Sequence, residues 1–294
     1  MLTRVWLAVA GVAAAALPLA VPSPAVASDG APHVLVFTAA ADADQAHAST
    51  PRAGEHLEMN GRRYGFTVEV TDDAERFTPE SLAEYDVVVW LNTYGDVLDE
   101  QQQEAFHDWV KEGGGFVGVH GAARTEPDWG YFHELVGAFA VEGEDDPEST
   151  RTVTVDTGHP STEGMLETWE DHQDQWYRFD RSPSTLPGMK VLATVPDSTS
   201  DAQHPVTWCR SVDDGRSWYT SLGHAGGTYQ DGDFMRMLRG GILWAAGVEG
   251  PQTVRTDAAA PRWPYELSFL FWVGAVAVGG GVAVVRLNRR EAPE

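Results

Sequence analysis

The 294-residue chain has a single cysteine, Cys209. That scarcity rules out an internal disulfide, and C-x-x-C metal spacing is missing with it. Cys209 ends the strand-like run HPVTWC (His204–Cys209) and does not sit in a turn, so it reads as a small buried hydrophobe and not as a nucleophile. Positive charge is also scarce. Lys and Arg total 20 against 44 Asp and Glu, a formal net charge of −24. A polyanion is repelled by such a surface, so nucleic acid is excluded as a partner. H-E-x-x-H and H-x-H are absent, as is any internal repeat, and no serine occupies a G-x-S-x-G elbow. The glycine run 113–115 precedes its strand, the reverse of a phosphate-cradling loop.

Long apolar runs are present at both ends. Residues 1–27 carry one early arginine, an apolar stretch from Val5 to Val21 and an Ala25-Val26-Ala27 site, the three parts of a secretory signal peptide. Residues 265–285 contain an uncharged run from Leu267 to Val285, long enough to cross the roughly 30 Å hydrocarbon layer as a helix. Trp263 and Tyr265 stand at its entrance, and Arg286, Arg289 and Arg290 lie in the tail, 286–294. Aromatics favour the interface and arginines the cytoplasmic side. No LPxTG-like wall-sorting signal precedes the run. The expected arrangement is an extracytoplasmic domain, 33–247, joined by a linker, 248–264, to a single-pass C-terminal transmembrane helix in the cell membrane with a cytoplasmic C-terminus.

Within the domain, His33–Phe37, Phe66–Val70, Asp86–Leu91 and Phe116–Val119 read as strands separated by helical patterns. Asp99 is the expected N-cap of a helix that stops at Gly113. This alternation implies a parallel sheet with helices on both faces, and ligands then collect at the carboxyl ends of the strands. Further strands are expected at Thr152–Val155, Trp176–Phe179, Val191–Val195, Val206–Cys209 and Trp218–Ser221, followed by a closing helix, Phe234–Ala246.

The segment Gly118-Val119-His120-Gly121-Ala122 has the form of a nucleophile elbow with an imidazole at its tip. Histidine there suits proton transfer or metal ligation and is a poor site for a stable acyl intermediate. His47 follows the first strand and His224 follows SLG after a later one, so a doubly wound order brings both toward His120. Such a cluster can hold a divalent metal such as zinc or act as acid and base near neutral pH. His33, His56 and His107 read as ordinary core or hydrogen-bonded residues, and His159 and His204, each before proline, as turn-stabilising or lining residues. Trp129, Trp176, Tyr177 and Trp208 are candidates for stacking on sugar faces, although most of the 11 tryptophans belong in a core.

GGGFVGVHGAA, PDWGYFHELVGAFA, HPST (159–162), DQWYRF (174–179), HPVTWC, SLGH (221–224) and GGILWAAG (240–247) occur in that order. Together they resemble the ThuA-like family, named for trehalose utilisation, and the resemblance runs from about His33 to Gly247. It implies a flavodoxin-like fold related to class I glutamine amidotransferases, with strand-rich additions, and a role in carbohydrate metabolism that includes oxidised disaccharides. Residue by residue, it carries the family's first-loop histidine onto His47-Ala48-Ser49, the strand-end histidine onto His120, the acidic-aromatic motif onto Asp174 and Tyr177, and the G-H motif onto His224. Two positions depart from the family: Gln45-Ala46 replace aromatic and basic residues, and Gln175 replaces an acid.

The expectation is therefore a protein acting on a carbohydrate small molecule. His120, His224 and Asp174 are the candidate catalytic residues. His47, Trp176, Tyr177 and Trp129 are the candidate substrate contacts, and His120, His224 and His47 the candidate metal ligands. A non-catalytic surface module that binds glycan or protein is the alternative.

Overall fold

The computed structural model describes residues 30–200 and 202–248. The expected signal peptide and transmembrane helix lie outside them, as does nearly all of the linker. No helix among the described residues is long and apolar enough to cross a membrane.

Among the described residues, nine strands form one mixed sheet. In chain order they are β1 (His33–Phe37), β2 (Thr67–Thr71), β3 (Val87–Leu91), β4 (Gly115–Val119), β5 (Asp146–Val155), β6 (Thr168–Trp176), β7 (Lys190–Pro196), β8 (Gln203–Val212) and β9 (Gly215–Thr220). Their spatial order is β2-β1-β3-β4-β9-β8-β7-β5-β6. The first five in that order pair parallel, and the remainder continue the same sheet antiparallel. The parallel part has the 2-1-3-4-5 order of flavodoxin-type sheets, with β9 in fifth place.

β3 and β4 are buried along their whole length, as parallel strands covered on both faces must be. Val34 and Val36 of β1 face one core, with α1 (Thr50–Tyr64) and α5 (Gly232–Ala245). Leu35 and Phe37 face the other, with α3 (Glu100–Lys111) and α4 (Gly130–Val136). The helix α2 (Pro79–Leu82) adds Leu82 to that second core. Asp99 caps α3 through a full capping box with Gln102, as the sequence leads one to expect.

Two elements differ from expectation. The run Trp176–Phe179 is not a strand: β6 ends at Trp176, and Phe179 keeps only an isolated bridge to Ala140. The chain leaves the sheet there because Tyr177 turns toward His120. β5 begins six residues before Thr152, at Asp146, where the polar stretch DPEST pairs with β6. Cys209 is buried with its Sγ 3.5 Å from His159 Nε2, and burial raises its thiol pKa to about 12, so it is held as the inert thiol.

Candidate functional site

The carboxyl ends of β1, β3, β4 and β9 converge on one edge of the sheet. His47 comes from the loop after β1, Asn92 from the end of β3, His120 from the end of β4 and His224 from the loop after β9. His120 takes φ +45, a left-handed conformation that costs a non-glycine residue about 1–2 kcal/mol. Packing imposes it: a Cβ at Gly121 would stand 2.6 Å from the Thr93 carbonyl, and one at Gly118 would stand 2.8 Å from the Tyr219 ring. Small residues on both sides let the β4 turn sink against the β3 loop. The elbow read from sequence is present, and its tip is strained where function collects.

The His120, His224 and His47 side chains form a triad in which one nitrogen from each lies within 4.8 Å of the others. The rings meet edge to face, with centroids 4.8 Å apart for His47 and His120 and 5.1 Å for His120 and His224. Hydrogen-bond partners fix the ring protons. His120 Nδ1 lies 2.7 Å from the Ser221 carbonyl and must donate to it, which leaves a lone pair on Nε2. His224 Nε2 lies 3.1 Å from a Glu148 carboxylate oxygen, an ion-pair contact that favours the ring proton on that nitrogen and a lone pair on Nδ1. Those two lone-pair nitrogens face each other at 3.1 Å. His47 Nδ1 is buried without a partner.

Burial holds His47 down to about 4, assisted by repulsion from His224 and Arg124. It holds His120 down to about 3, assisted by His47 and opposed by Asp174. Burial thus disfavours a charged imidazolium at His47 and His120, and three neutral imidazoles suit a cation.

Asp174 is completely buried beneath this triad. Burial by itself would raise its pKa, but the His172 hydrogen bond, His120 and the Gly223 amide hold it below the usual value. It accepts from the Gly223 amide at 2.8 Å and the His224 amide at 3.1 Å, and pairs with His172 Nε2 at 3.1 Å. Asp174 thus fixes the main chain of the His224 loop and makes no hydrogen bond to the His120 or the His224 ring. Tyr177 stacks on His120, with centroids 4.3 Å apart, and its hydroxyl lies 2.9 Å from Nε2, where it donates to that lone pair while no cation is bound. Burial keeps that phenol protonated.

His47 and His224, with His120 buried behind them, line a cavity of about 470 Å³ together with Asp44, Gln45, Tyr94, Arg124, Glu148, Gln175 and Tyr177 among others. That volume suits a small-molecule ligand. Of the expected substrate contacts, His47 and Tyr177 line it. Trp176 does not: its indole is buried and donates to the Ser149 carbonyl. Trp129 packs against Phe106 and Phe132 on the α3–α4 side, and Trp208 is buried and donates to the Val136 carbonyl. Trp176 and Trp208 are held in the core, and Trp129 is half-buried against it.

Three lining or supporting residues carry no local signal in the sequence. Arg124 lies over the Tyr177 ring, 4.5 Å from its centroid, and pairs with Asp145 at 2.6 Å. Glu148 reaches His224 from β5. Gln45 and Gln175, the positions that depart from the family pattern, both face the cavity, where Gln175 Nε2 donates to Asp145 at 3.3 Å.

A family profile described as ThuA, trehalose utilisation, matches residues 33–245. Among solved structures, a ThuA-like protein of Parabacteroides merdae is 23% identical, with TM-score 0.62, covering 78% of this chain and 94% of its own. A ThuA-like protein of Bacteroides uniformis is 21% identical, again with TM-score 0.62, covering 76% and 95%. These likenesses show the fold. A comparison with curated proteins finds no match.

Proposed function

Because the chain belongs to the ThuA, trehalose-utilisation, family, we propose that it processes a disaccharide or oxidised sugar at the His47–His120–His224 centre, with a divalent cation of the zinc class held by the three imidazoles. The convergence of one nitrogen from each of His47, His120 and His224 within 4.8 Å carries this reading. When bound, such a cation polarises a sugar oxygen or activates water. The protein's own groups do the rest. His120, neutral and with Nδ1 already committed to Ser221, acts as a ligand in preference to a general acid. Tyr177 keeps its proton and donates a hydrogen bond at the cavity floor. Gln45, Arg124 and Gln175 present donors to sugar hydroxyls from the walls. With no cysteine or serine at the elbow, covalent acyl transfer of the amidotransferase kind has no nucleophile.

The proposal extends to location. The signal-peptide pattern of residues 1–27 and the apolar run ending at the arginines of 286–294 support a domain outside the cell, anchored by a single C-terminal helix.

Product analysis after incubation with trehalose and its oxidised derivatives tests the reading. Turnover that is abolished by chelation and restored by zinc is expected. Saccharide binding without turnover, unaffected by chelation, would instead identify a binding module and overturn it.

A further inference from the structure

His224 is held at two levels, by two different carboxylates. Asp174 accepts from its backbone amide and so places the residue, but rotation of the imidazole about its side-chain bonds is left open. The ring is addressed by Glu148, whose Oε1 lies 3.1 Å from Nε2. Glu148 reaches that point through an irregularity in β5. The β5–β6 register pairs Asp146 with Trp176 and Ser149 with Asp174, so two residues, Pro147 and Glu148, oppose the single residue Gln175. This is a β-bulge, the device by which a strand re-aims one side chain, and proline is tolerated in it because no ladder donor is lost. The preceding carboxylates are committed elsewhere: Asp145 to Arg124 at 2.6 Å, and Asp146 to Arg151 at 2.7 Å and Arg178 at 3.1 Å. In the run Asp145-Asp146-Pro147-Glu148, Glu148 is the carboxylate turned onto an imidazole of the triad.

We infer that Glu148 is the positioning residue of the histidine centre: it draws the ring proton of His224 onto Nε2 and so presents the Nδ1 lone pair to the cation. The inference rests on the centre proposed above. Its chemical content is a choice between tautomers. Without Glu148, the favourable place for the His224 proton is Nδ1, where it is shared with His120 Nε2 at 3.1 Å. That internal hydrogen bond competes with the Tyr177 hydroxyl for His120 Nε2 and removes the His224 lone pair the cation needs. With Glu148 in place, the carboxylate is the stronger acceptor and the pair stays open toward the cavity. Glu148 lies on the cavity wall with its side chain 47% exposed, so its removal exposes no core.

The test compares wild type with Glu148→Ala and Glu148→Gln by zinc titration. It also reads the His224 tautomer of each metal-free protein by long-range proton–nitrogen correlation. Glu148→Ala is expected to weaken zinc binding about 10–100-fold and to move the His224 proton from Nε2 to Nδ1, with unchanged melting of the metal-free protein. Glu148→Gln, whose amide oxygen still accepts from Nε2–H, is expected to recover part of the affinity. Wild-type affinity in Glu148→Ala, or a His224 proton that stays on Nε2 in that variant, would overturn the inference. A wild-type protein that takes up no zinc would overturn the centre itself, while the tautomer measurement still decides the role of Glu148.

Discussion

His120 combines three constraints that oppose one another in an ordinary fold: complete burial, a left-handed backbone and a ring nitrogen facing another lone pair. Asparagine tolerates that backbone and cannot replace the imidazole, so His120→Asn is expected to keep the far-ultraviolet circular dichroism of the wild type while losing activity. Acid titration gives a second prediction at this scale. In the chelated protein, the folded-state values of His47 and His120, about 4 and about 3, lie below the ordinary 6.5. As pH falls below 6.5, the unfolded chain binds protons at these positions and the folded chain does not. Their contribution is therefore neutral above that pH and opposes folding progressively as pH falls, down to about 4 for His47 and about 3 for His120. Urea denaturation should show wild-type stability falling over this window, with a shallower fall in His120→Asn. Equal slopes would show that the imidazole is not held neutral by burial.

The elements built from continuous apolar runs were legible in the sequence. β1, β3 and β4 begin and end within a residue of their hydrophobic stretches, because parallel strands covered on both faces need apolar side chains at every position. The antiparallel extension was less so. β5 starts in charged residues and β6 has only Trp169 and Trp176 as apolar positions, so the β6 boundary depends on where Tyr177 must go and not on hydropathy. The site divides in the same way. His47, His120 and His224 stood out because each follows a strand. Arg124, Asp145 and Glu148 did not, since their partners lie on distant segments and no local spacing encodes such pairs. The elbow itself makes a prediction at this scale. A methyl group at Gly121 meets backbone of the β3 loop at 2.6–3.1 Å, so Gly121→Ala is expected to cost about 1–3 kcal/mol of unfolding free energy. Because the same contact sets the spacing of Asn92 and His120, zinc affinity should fall with it, and unchanged denaturation would remove the argument for close β3–β4 loop packing.

For the whole molecule, the two terminal runs predict a processed, anchored protein. Mass spectrometry of the chain from its native host should find Ser28 at the N-terminus. Cell fractionation should place the full chain with membranes and a chain ending at Gly247 in the soluble fraction. Recovery of both in the soluble fraction would contradict the anchor. Within the domain, five parallel strands bring loops distant in sequence to one edge, and the antiparallel extension supplies β5 and β6, from which Glu148 and Asp174 support the His224 loop. This assembly is expected to hold a cation. Metal content, measured per chain for the wild type and for His120→Asn after purification without chelator, is the decisive test. About one divalent cation per wild-type chain is expected, and none in the folded variant. A metal-free wild type, or a variant with the wild-type content, would contradict it.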